Sequence, residues 1–372
     1  MLSTSSNIFP TSLDKINDRV SNIDPVAYAS TRNYKNGKVT KLSPYISRGV
    51  ISTKFVFKHI LNLDLPWNKI EKLVQELAWR DYWQQIWKAK GNDISKELKR
   101  KQEKVDHFQI PRSIMNGTTG IEAIDKAIRE FYDTGYMHNH MRMYVASLAC
   151  NVGRSHWLNP ARWMYYNLLD GDWASNALSW QWVAGSNSNK KYYANQDNIN
   201  RYFSSHQKGT FLDVSYDKFD LLDVPSELFK TKKFEGVTDV SEVSVTETSL
   251  LDKNRKTLIY NYYNLDPNWH QDEDCQRILL MEPSFFRLYP VSKKCIDFSL
   301  QLSKNIDNIK VFVGEFDELT RFISKEHIVF KEHPTNRHYK GKEEPREWMF
   351  EVEGYFPSFF GFWKKCKKEM RK

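Results

Sequence analysis

A carboxylate, an amide and an indole recur at four-residue intervals near the middle of the chain. They are Asp172, Asn176 and Trp180, in the run Asp-Gly-Asp-Trp-Ala-Ser-Asn-Ala-Leu-Ser-Trp-Gln-Trp. Residues at this spacing share one face of a helix, so the face would present polar groups beside a large aromatic plane. Asp172 also stands where a helix would begin, and an N-cap carboxylate stabilises a helix by about 1 kcal/mol. The residues alone leave both roles open, helix capping and ligand binding.

Two helical segments upstream carry further polar residues on shared faces. Asn139, Arg142 and Met143 lie on one face of the run Met-His-Asn-His-Met-Arg-Met, and the residues leave structure and site equally open. Glu76 and Arg80 are four residues apart, a spacing that predicts an ion pair supporting the helix by about 0.3 kcal/mol.

The turn Thr-Lys-Leu-Ser-Pro, over residues 40–44, opens a helix. Helix N-termini expose free N–H groups that suit a phosphate. Most turns of this kind only cap a helix, however, so the turn by itself is a weak signal.

Helical spacing dominates the chain up to about residue 225. Apolar residues recur every three or four positions in the segments that we predict to be helices. These segments are Asn68–Lys88, Thr119–Phe131, Met137–Cys150, Pro160–Leu168 and Trp173–Val183.

The pattern changes near residue 232. Residues 233–256 hold few large apolar side chains, which is typical of a linker or an exposed loop. Short apolar runs follow at 257–263, 277–282, 309–314 and 327–331, and we predict helices between some of them, at Ser292–Ser303 and Phe316–Ser324. This alternation indicates a small α/β unit with a parallel sheet.

Composition excludes several classes of protein. The chain has 372 residues, of which 40% are apolar and 27% charged, as in an ordinary globular protein. Its apolar stretches, such as Tyr144–Cys150, are far shorter than the ~20 residues of a membrane span. The four cysteines are dispersed, and the N-terminus lacks the pattern of a secretory signal, so we expect an intracellular protein without a metal site.

Charge and aromatic content point towards a partner without naming it. Lys and Arg total 55 against 46 Asp and Glu, and the net charge of +9 favours a polyanion. The chain holds 12 Trp, and five of them fall between Trp157 and Trp182. We expect Trp83, Trp87, Trp163 and Trp173 to be core residues.

Together these segments resemble the helical flavin-binding domain of the photolyase and cryptochrome family. The resemblance runs from about Tyr28 to Phe203 and rests on five motifs in family order, Leu-Ser-Pro, Glu-x-x-Trp-Arg-Asp, Met-His-Asn-x-x-Arg-Met, Asp-Gly-Asp and Ser-Trp-Gln-Trp. It implies a mainly α fold in which an all-helical domain binds FAD in a folded-back conformation. We therefore expect a helical FAD-binding domain over residues 1–230, a linker over 231–256 and a small α/β domain with a basic tail over 257–372.

The resemblance assigns residues to FAD. They are Tyr28, Thr40, Leu42, Ser43, Arg80, Arg142, Asp170, Asp172 and Asn176. The first four match a turn that contacts the diphosphate, and Arg80 matches a flavin-phosphate arginine. Arg142 and Asp170 match an ion pair against the isoalloxazine and ribityl region. Asp172 matches the carboxylate at the ring edge, and Asn176 matches the residue that faces flavin N5.

The resemblance also implies a substrate, DNA with a pyrimidine dimer flipped into a cavity. Trp79 and Trp182 match the two indoles that line this cavity, and Glu76, Asn139 and Met143 match its other contacts. Enzymes that repair (6-4) photoproducts have His where this chain has Asn139 and Met143, so cyclobutane dimers are indicated. The implied activity is that of a deoxyribodipyrimidine photolyase, in which excited, fully reduced FAD donates an electron and the ring splits.

Trp180 and Trp157 match the flavin-proximal and middle indoles of the family's photoreduction chain. The third, surface Trp would fall near Lys104, so the terminal residue of this chain stays open. Family members normally begin with an α/β antenna domain, whereas only 27 residues precede Tyr28 here. The later α/β unit loosely resembles that domain, shortened and moved, and whether an antenna chromophore binds stays open.

Two other functions remain alternatives. A cryptochrome-like blue-light photoreceptor would use the same FAD pocket, and a flavin-free nucleic-acid-binding protein would stack its aromatic residues on bases. We favour repair because a receptor has no need of a dimer cavity. We also expect a monomer that lies in the cytoplasm, associated with the nucleoid.

Overall fold

The structure, a computed structural model, describes residues 8–370. Helices form nearly all of the regular structure before residue 204. They are α1 Leu13–Ser21, α2 Pro25–Thr31, α3 Ser43–Ser47, α4 Thr53–Leu61, α5 Trp67–Lys90, α6 Arg112–Asn116, α7 Glu122–Thr134, α8 Asn139–Ser147, α9 Leu158–Asn167, α10 Trp173–Val183 and α11 Gln196–Phe203. No helix of the described residues is long and apolar enough to cross a membrane.

The predicted helices are confirmed to within a few residues at each end. Helix α10 has the predicted bounds, and α5 begins one residue before and ends two residues after the prediction. Helix α8 continues into a π-helical turn over Leu148–Val152, so the predicted segment ending at Cys150 is a single helical rod with a local bulge. Gly91 terminates α5 with a positive φ of 55°, a conformation that glycine adopts without a steric penalty.

The second half of the chain contains a five-stranded parallel sheet. Its strands are β3 Thr257–Tyr260, β4 Gln276–Met281, β5 Ile309–Val313, β6 Ile328–Lys331 and β7 Lys342–Glu344, in the order β5-β4-β3-β6-β7. A separate two-residue ribbon pairs β1 Ile110–Pro111 with β2 Thr231–Lys232. The predicted parallel sheet is confirmed, and its strands are short apolar runs as expected.

Four helices accompany the sheet. They are α12 Pro283–Leu288, α13 Lys293–Ser303, α14 Phe316–Leu319 and α15 Phe359–Glu369. The prediction for α14 was too long, because the chain leaves the helix after Leu319 through tight turns. In these turns Arg321 N donates to Glu318 O at 3.1 Å and Phe322 N donates to Leu319 O at 3.0 Å.

The apolar core continues through both halves of the chain. One cluster includes residues of the helical half together with buried residues such as Leu258, Leu279 and Trp363. A smaller cluster, which includes Ile259 and Phe330, covers the other face of the sheet. The order of helices followed by a sheet is therefore as predicted, but the two parts share a core. The predicted division into domains stays a prediction.

Four tryptophans belong to the core, as predicted. Trp87, Trp163 and Trp173 are each 1% exposed and Trp83 is 8% exposed. The predicted linker is also anchored, since Thr246 N donates to Val311 O at 2.9 Å.

Candidate functional site

A buried ion pair joins helix α8 to the residues just before α10. Arg142 Nη2 donates to both carboxylate oxygens of Asp170, at 3.0 and 2.8 Å. The Asp170 side chain is 3% exposed, and that of Arg142 is 20% exposed. Arg142 Nε also donates to Met137 O at 2.8 Å, which fixes the guanidinium at the start of α8. Charge-assisted hydrogen bonds of this kind are among the strongest in proteins.

The Asp172 carboxylate makes two sets of contacts, and the first is the helix cap that the sequence predicts. Its Oδ1 accepts from Ser175 N at 2.7 Å, so the carboxylate caps α10. Its Oδ2 lies 3.4 Å from Arg80 Nη2 and also accepts from Gln84 Nε2. The same carboxylate therefore starts a helix and joins a polar cluster with α5.

The predicted ion pair between Glu76 and Arg80 is wrong. Glu76 lies 2.9 Å from Lys72 Nζ and 3.8 Å from Arg32 Nε. Arg80 contacts the carboxylate of Asp172 instead. Because Asp172 is buried, its charge depends on a cationic partner more than the charge of the partly exposed Glu76 does.

Asn176 is a largely buried residue of α10 whose amide nitrogen has a partner. Its Nδ2 donates to Ala161 O at 2.8 Å, which orients the side chain. The residue is 9% exposed, and its Oδ1 accepts no hydrogen bond from the described part of the chain. Ser175 Oγ, on the preceding residue, is buried without a partner among residues 8–370. Both oxygens are available to a ligand.

The turn before α3 places Thr40, Leu42 and Ser43 together. Thr40 Oγ1 accepts from Leu42 N at 3.4 Å, and Leu42 is buried at the start of the helix. A groove of about 1210 Å³ borders this turn, and its lining includes Lys35, Lys41 and Lys126. Lys41 and Lys126 suit a negatively charged diphosphate, whereas Lys35 lies 3.7 Å from Glu130, which lines the same groove together with Glu122.

Tyr28 lies on α2, close to α5. Burial and the neighbouring Glu76 carboxylate raise the pKa of its phenol, so the hydroxyl stays neutral and able to donate a hydrogen bond.

The two indoles assigned to the dimer cavity have different surroundings. Trp182 is 37% exposed, and its ring lies 5.9 Å from that of Tyr192. Trp79 is only partly exposed, because Phe359 of α15 stacks on it with ring centroids 3.9 Å apart and planes within 9°. A helix from the far end of the chain therefore forms part of the wall around Trp79.

The remaining predicted residues divide by burial. On α8, Asn139 is exposed and Met143 half-buried. Trp180 and Trp157 are 2% and 0% exposed, as core indoles are.

The sequence did not reveal three residues that support the two carboxylates. Ser47 Oγ donates to Asp170 O at 2.7 Å and accepts from Arg80 Nη2 at 2.9 Å. Gln84 contacts Asp172 and accepts from Arg346 Nη1 at 2.6 Å. Gln84 lies four residues after Arg80 on the same face of α5, a signal that could have been read. Nothing local marks Arg346, which lies 262 residues away from Gln84.

The residues around this cluster match a known family of proteins. Residues 73–217 match the family model described as the FAD binding domain of DNA photolyase. A deoxyribodipyrimidine photo-lyase of Alkalihalophilus pseudofirmus is 30% identical over 162 residues, 42% of this chain and 34% of that protein. A cryptochrome DASH of Natronomonas pharaonis is 30% identical over 193 residues, 48% of this chain and 40% of that protein. Over residues 73–217 the chain is therefore similar to the FAD binding domain of the photolyase and cryptochrome family.

The chain spans well under half of the length of these two members of the family. Among solved structures, a cryptochrome from Synechocystis matches with a TM-score of 0.45 and 24% identity, over 51% of this chain and 42% of that one. The matched segment begins inside α5 and ends beyond α11, so it contains Arg80, Arg142, Asp170, Asp172 and Asn176.

The residues present fit FAD, the cofactor of this family's domain. Asn176 Oδ1 and the buried Ser175 Oγ lack partners within residues 8–370, and each can meet a polar edge of a ligand. Arg80 reaches Asp172 through a single 3.4 Å contact, so its guanidinium can also serve a phosphate. The assignment of nine individual residues to FAD stays a prediction of the family resemblance.

A polar crevice lies between this cluster and the carboxyl edge of the sheet. Its volume is about 100 Å³, and its lining includes Asp81 of α5. Asp81 is buried and accepts from Thr53 Oγ1 at 2.9 Å and from Met349 N at 2.9 Å. Burial raises the pKa of this carboxyl from 3.8 to about 6, although Arg80 and Arg346 lower it.

The raised pKa of Asp81 predicts a loss of stability with rising pH. The folded state binds this proton more tightly than the unfolded state, so the contribution is full below pH 4 and disappears as pH rises through about 6. Asp81→Asn keeps an acceptor and cannot ionise. We expect the free energy of unfolding of the unmodified chain, relative to Asp81→Asn, to fall by about 2.5 kcal/mol between pH 4 and pH 7. Urea titrations across this range measure it, and parallel pH profiles for the two proteins would contradict it.

Proposed function

We propose that this chain uses FAD to repair DNA in light, by splitting cyclobutane pyrimidine dimers. The observation that carries the proposal is the cluster of Arg142, Asp170, Asp172 and Asn176. Helix α8 and the start of α10 bring these residues together although 28 residues separate Arg142 from Asp170 along the chain. Bound FAD, once reduced and excited, would supply the electron that opens the cyclobutane ring.

The protein's own part in such a reaction is to hold and orient. The Arg142–Asp170 pair is held in place from both sides. Arg142 donates to the backbone oxygen of Met137, and the backbone oxygen of Asp170 accepts from Ser47 Oγ. Asn176 Oδ1 can accept a hydrogen bond from a protonated ring nitrogen, which favours a reduced flavin over an oxidised one.

Asn139 and Met143 support cyclobutane dimers as the substrate. They lie one turn apart on α8, at the positions where the family's (6-4) enzymes have His. Neither side chain is a general acid or base, and splitting a cyclobutane ring by electron transfer requires none.

A photoreceptor function is the second candidate. One photo-lyase and one cryptochrome DASH match this chain at the same identity of 30%. Phe359 also covers one face of Trp79, a side chain that a repair enzyme would present to the dimer. A receptor would bind FAD through the same cluster and would not restore damaged DNA.

One assay separates the two functions. The purified protein, with fully reduced FAD bound, is illuminated with blue light in the presence of oligonucleotides that carry one cyclobutane dimer, both single-stranded and duplex. We expect restored thymines in the light and none in the dark. Asp172→Ala, which removes a carboxylate of the cluster, is the matched inactive control. A reduced, FAD-loaded protein that repairs neither substrate would rule out the repair function.

Trp180 is expected to be needed for light-driven reduction of the flavin. Its indole is buried in α10, four residues after Asn176, and the family resemblance places it next to the flavin. Trp180→Phe keeps the aromatic bulk and removes the easily oxidised indole, so flavin photoreduction should slow while FAD content stays unchanged. Absorbance under blue light with an added thiol measures the rate. An unchanged rate would show that electrons enter by another route.

A further inference from the structure

Helix α15 has one buried aromatic face and one exposed basic face. Phe359, Phe362, Trp363 and Cys366 are each no more than 2% exposed. On the other face Phe360 is 69% exposed, and Lys364, Lys365 and Lys368 are also exposed. We call Phe360 and these three lysines the α15 face. A large aromatic ring that is exposed among cations is unusual for a surface that contacts only solvent.

The α15 face lies at the rim of the candidate site. Phe359, next to Phe360, stacks on Trp79 at 3.9 Å. Further along α15, Lys367 Nζ lies 3.7 Å from Glu71 and Trp363 stacks on Trp67 at 6.4 Å, so the helix runs along α5. The helix therefore begins at the indole assigned to the dimer cavity.

The charge of the α15 face is not neutralised by neighbours. Lys367 pairs with Glu71, whereas Lys364, Lys365 and Lys368 form no ion pair with any of residues 8–370. Lys364 and Lys368 are one turn apart, about 6 Å along the helix axis. Such a row can meet successive phosphates of one nucleic-acid strand.

We propose that the α15 face binds the DNA strand next to the damaged site. The lysines contact phosphates, and Phe360 stacks on an unpaired base. This inference rests on the proposed repair function, because that function brings DNA to Trp79. An acidic protein could satisfy the lysines, but it would leave Phe360 without the flat partner that a base provides.

The test compares two triple variants of the full chain. One is Lys364→Gln, Lys365→Gln and Lys368→Gln. The control, Lys253→Gln, Lys304→Gln and Lys325→Gln, removes the same charge from exposed lysines that precede β3, β5 and β6, at the opposite edge of the sheet. Fluorescence anisotropy with a labelled single-stranded oligonucleotide, with and without one cyclobutane dimer, is recorded over a series of salt concentrations.

The salt dependence decides the outcome. Each lost phosphate contact lowers the slope of log affinity against log salt by about 0.7 to 0.9, so the α15 triple variant should lose about 2 to 3 of slope and the control none. Phe360→Ala should lower affinity about fivefold or more and leave the slope unchanged, because the ring carries no charge. Equal slopes for the two triple variants, with DNA binding and repair intact in the unmodified chain, would overturn this inference alone. No DNA binding by the unmodified chain would overturn the proposed function with it.

Discussion

Arg142→Met should lower the free energy of unfolding by about 3–5 kcal/mol. The substitution leaves the Asp170 carboxylate, 3% exposed, without the two hydrogen bonds at 3.0 and 2.8 Å that now compensate its burial. A buried charge without a partner costs far more than the ion pair contributes, because its hydration is lost and nothing replaces it. Urea denaturation of both proteins at pH 7 measures the difference.

Two further variants make this prediction sharp. Lys72→Met breaks the ion pair with Glu76, which has a similar distance of 2.9 Å but side chains 35% and 33% exposed, so it should cost less than about 1 kcal/mol. The double variant Arg142→Met, Asp170→Asn removes the stranded charge and should recover a large part of the loss. If Arg142→Met costs no more than Lys72→Met, burial of the pair has no energetic consequence and the argument is wrong.

The same variants bear on the cofactor. Because the family resemblance places the pair against the flavin, Arg142→Met should also purify with less FAD than Lys72→Met. The FAD released on denaturation, measured by absorbance per mole of protein, gives the occupancy. Full occupancy in Arg142→Met would separate the ion pair from FAD binding and leave it a purely structural feature.

The sequence was sufficient for elements whose patterns are local. The three- and four-residue spacing over Asn68–Lys88 predicted α5, and the N-cap at Asp172 fixed the start of α10. Apolar runs, some of them separated by helical stretches, predicted a parallel sheet, and β3 pairs in parallel with both β4 and β6. In each case the signal lies within one segment of chain, where spacing and capping decide the outcome.

The failures involve partners that are distant along the chain. Glu76 and Arg80 have the spacing of an ion pair, yet Arg80 pairs with Asp172, which is 92 residues away. The hydrogen bond from Arg346 to Gln84 joins residues 262 positions apart, and no local sequence pattern predicts it. Side-chain pairing follows the burial of charge, which depends on how the elements pack, and a sequence read one segment at a time does not contain that information.

The largest difference concerns the end of the chain. Nothing in the sequence indicated that the helix of the basic tail, α15, packs on α5 in the helical half and joins the common core. The reason is visible in the structure as a stack of Trp79, Phe359 and Trp363, in which neighbouring ring planes lie within 9° of each other. An amphipathic helix is stable when its apolar face is buried, and α5 provides the aromatic side chains against which α15 packs.

Phe359→Ala should therefore destabilise the whole protein, by about 3–5 kcal/mol, as truncation of a buried Phe usually does. Phe359 is 2% exposed, and its ring centroid lies 3.9 Å from that of Trp79, 6.2 Å from that of Trp363 and 5.9 Å from that of Tyr82. The neighbouring Phe360→Ala is the matched control, since the same truncation at a 69% exposed position should change the free energy of unfolding by less than about 0.5 kcal/mol. Urea denaturation of the two variants measures both values.

A second variant at this position separates stability from function. Phe359→Leu keeps most of the apolar volume and should cost less than about 1.5 kcal/mol, so the protein stays folded, but the stack on Trp79 is lost. If Trp79 contacts the dimer, its freed indole face should change affinity for a dimer-containing oligonucleotide while affinity for the undamaged one stays the same.

Equal effects of Phe359→Ala and Phe360→Ala on unfolding would refute the anchoring role of α15. An unchanged preference of Phe359→Leu for damaged DNA would show that Trp79 does not line the dimer cavity. A side chain in contact with the dimer should alter this preference when the ring that covers it is lost.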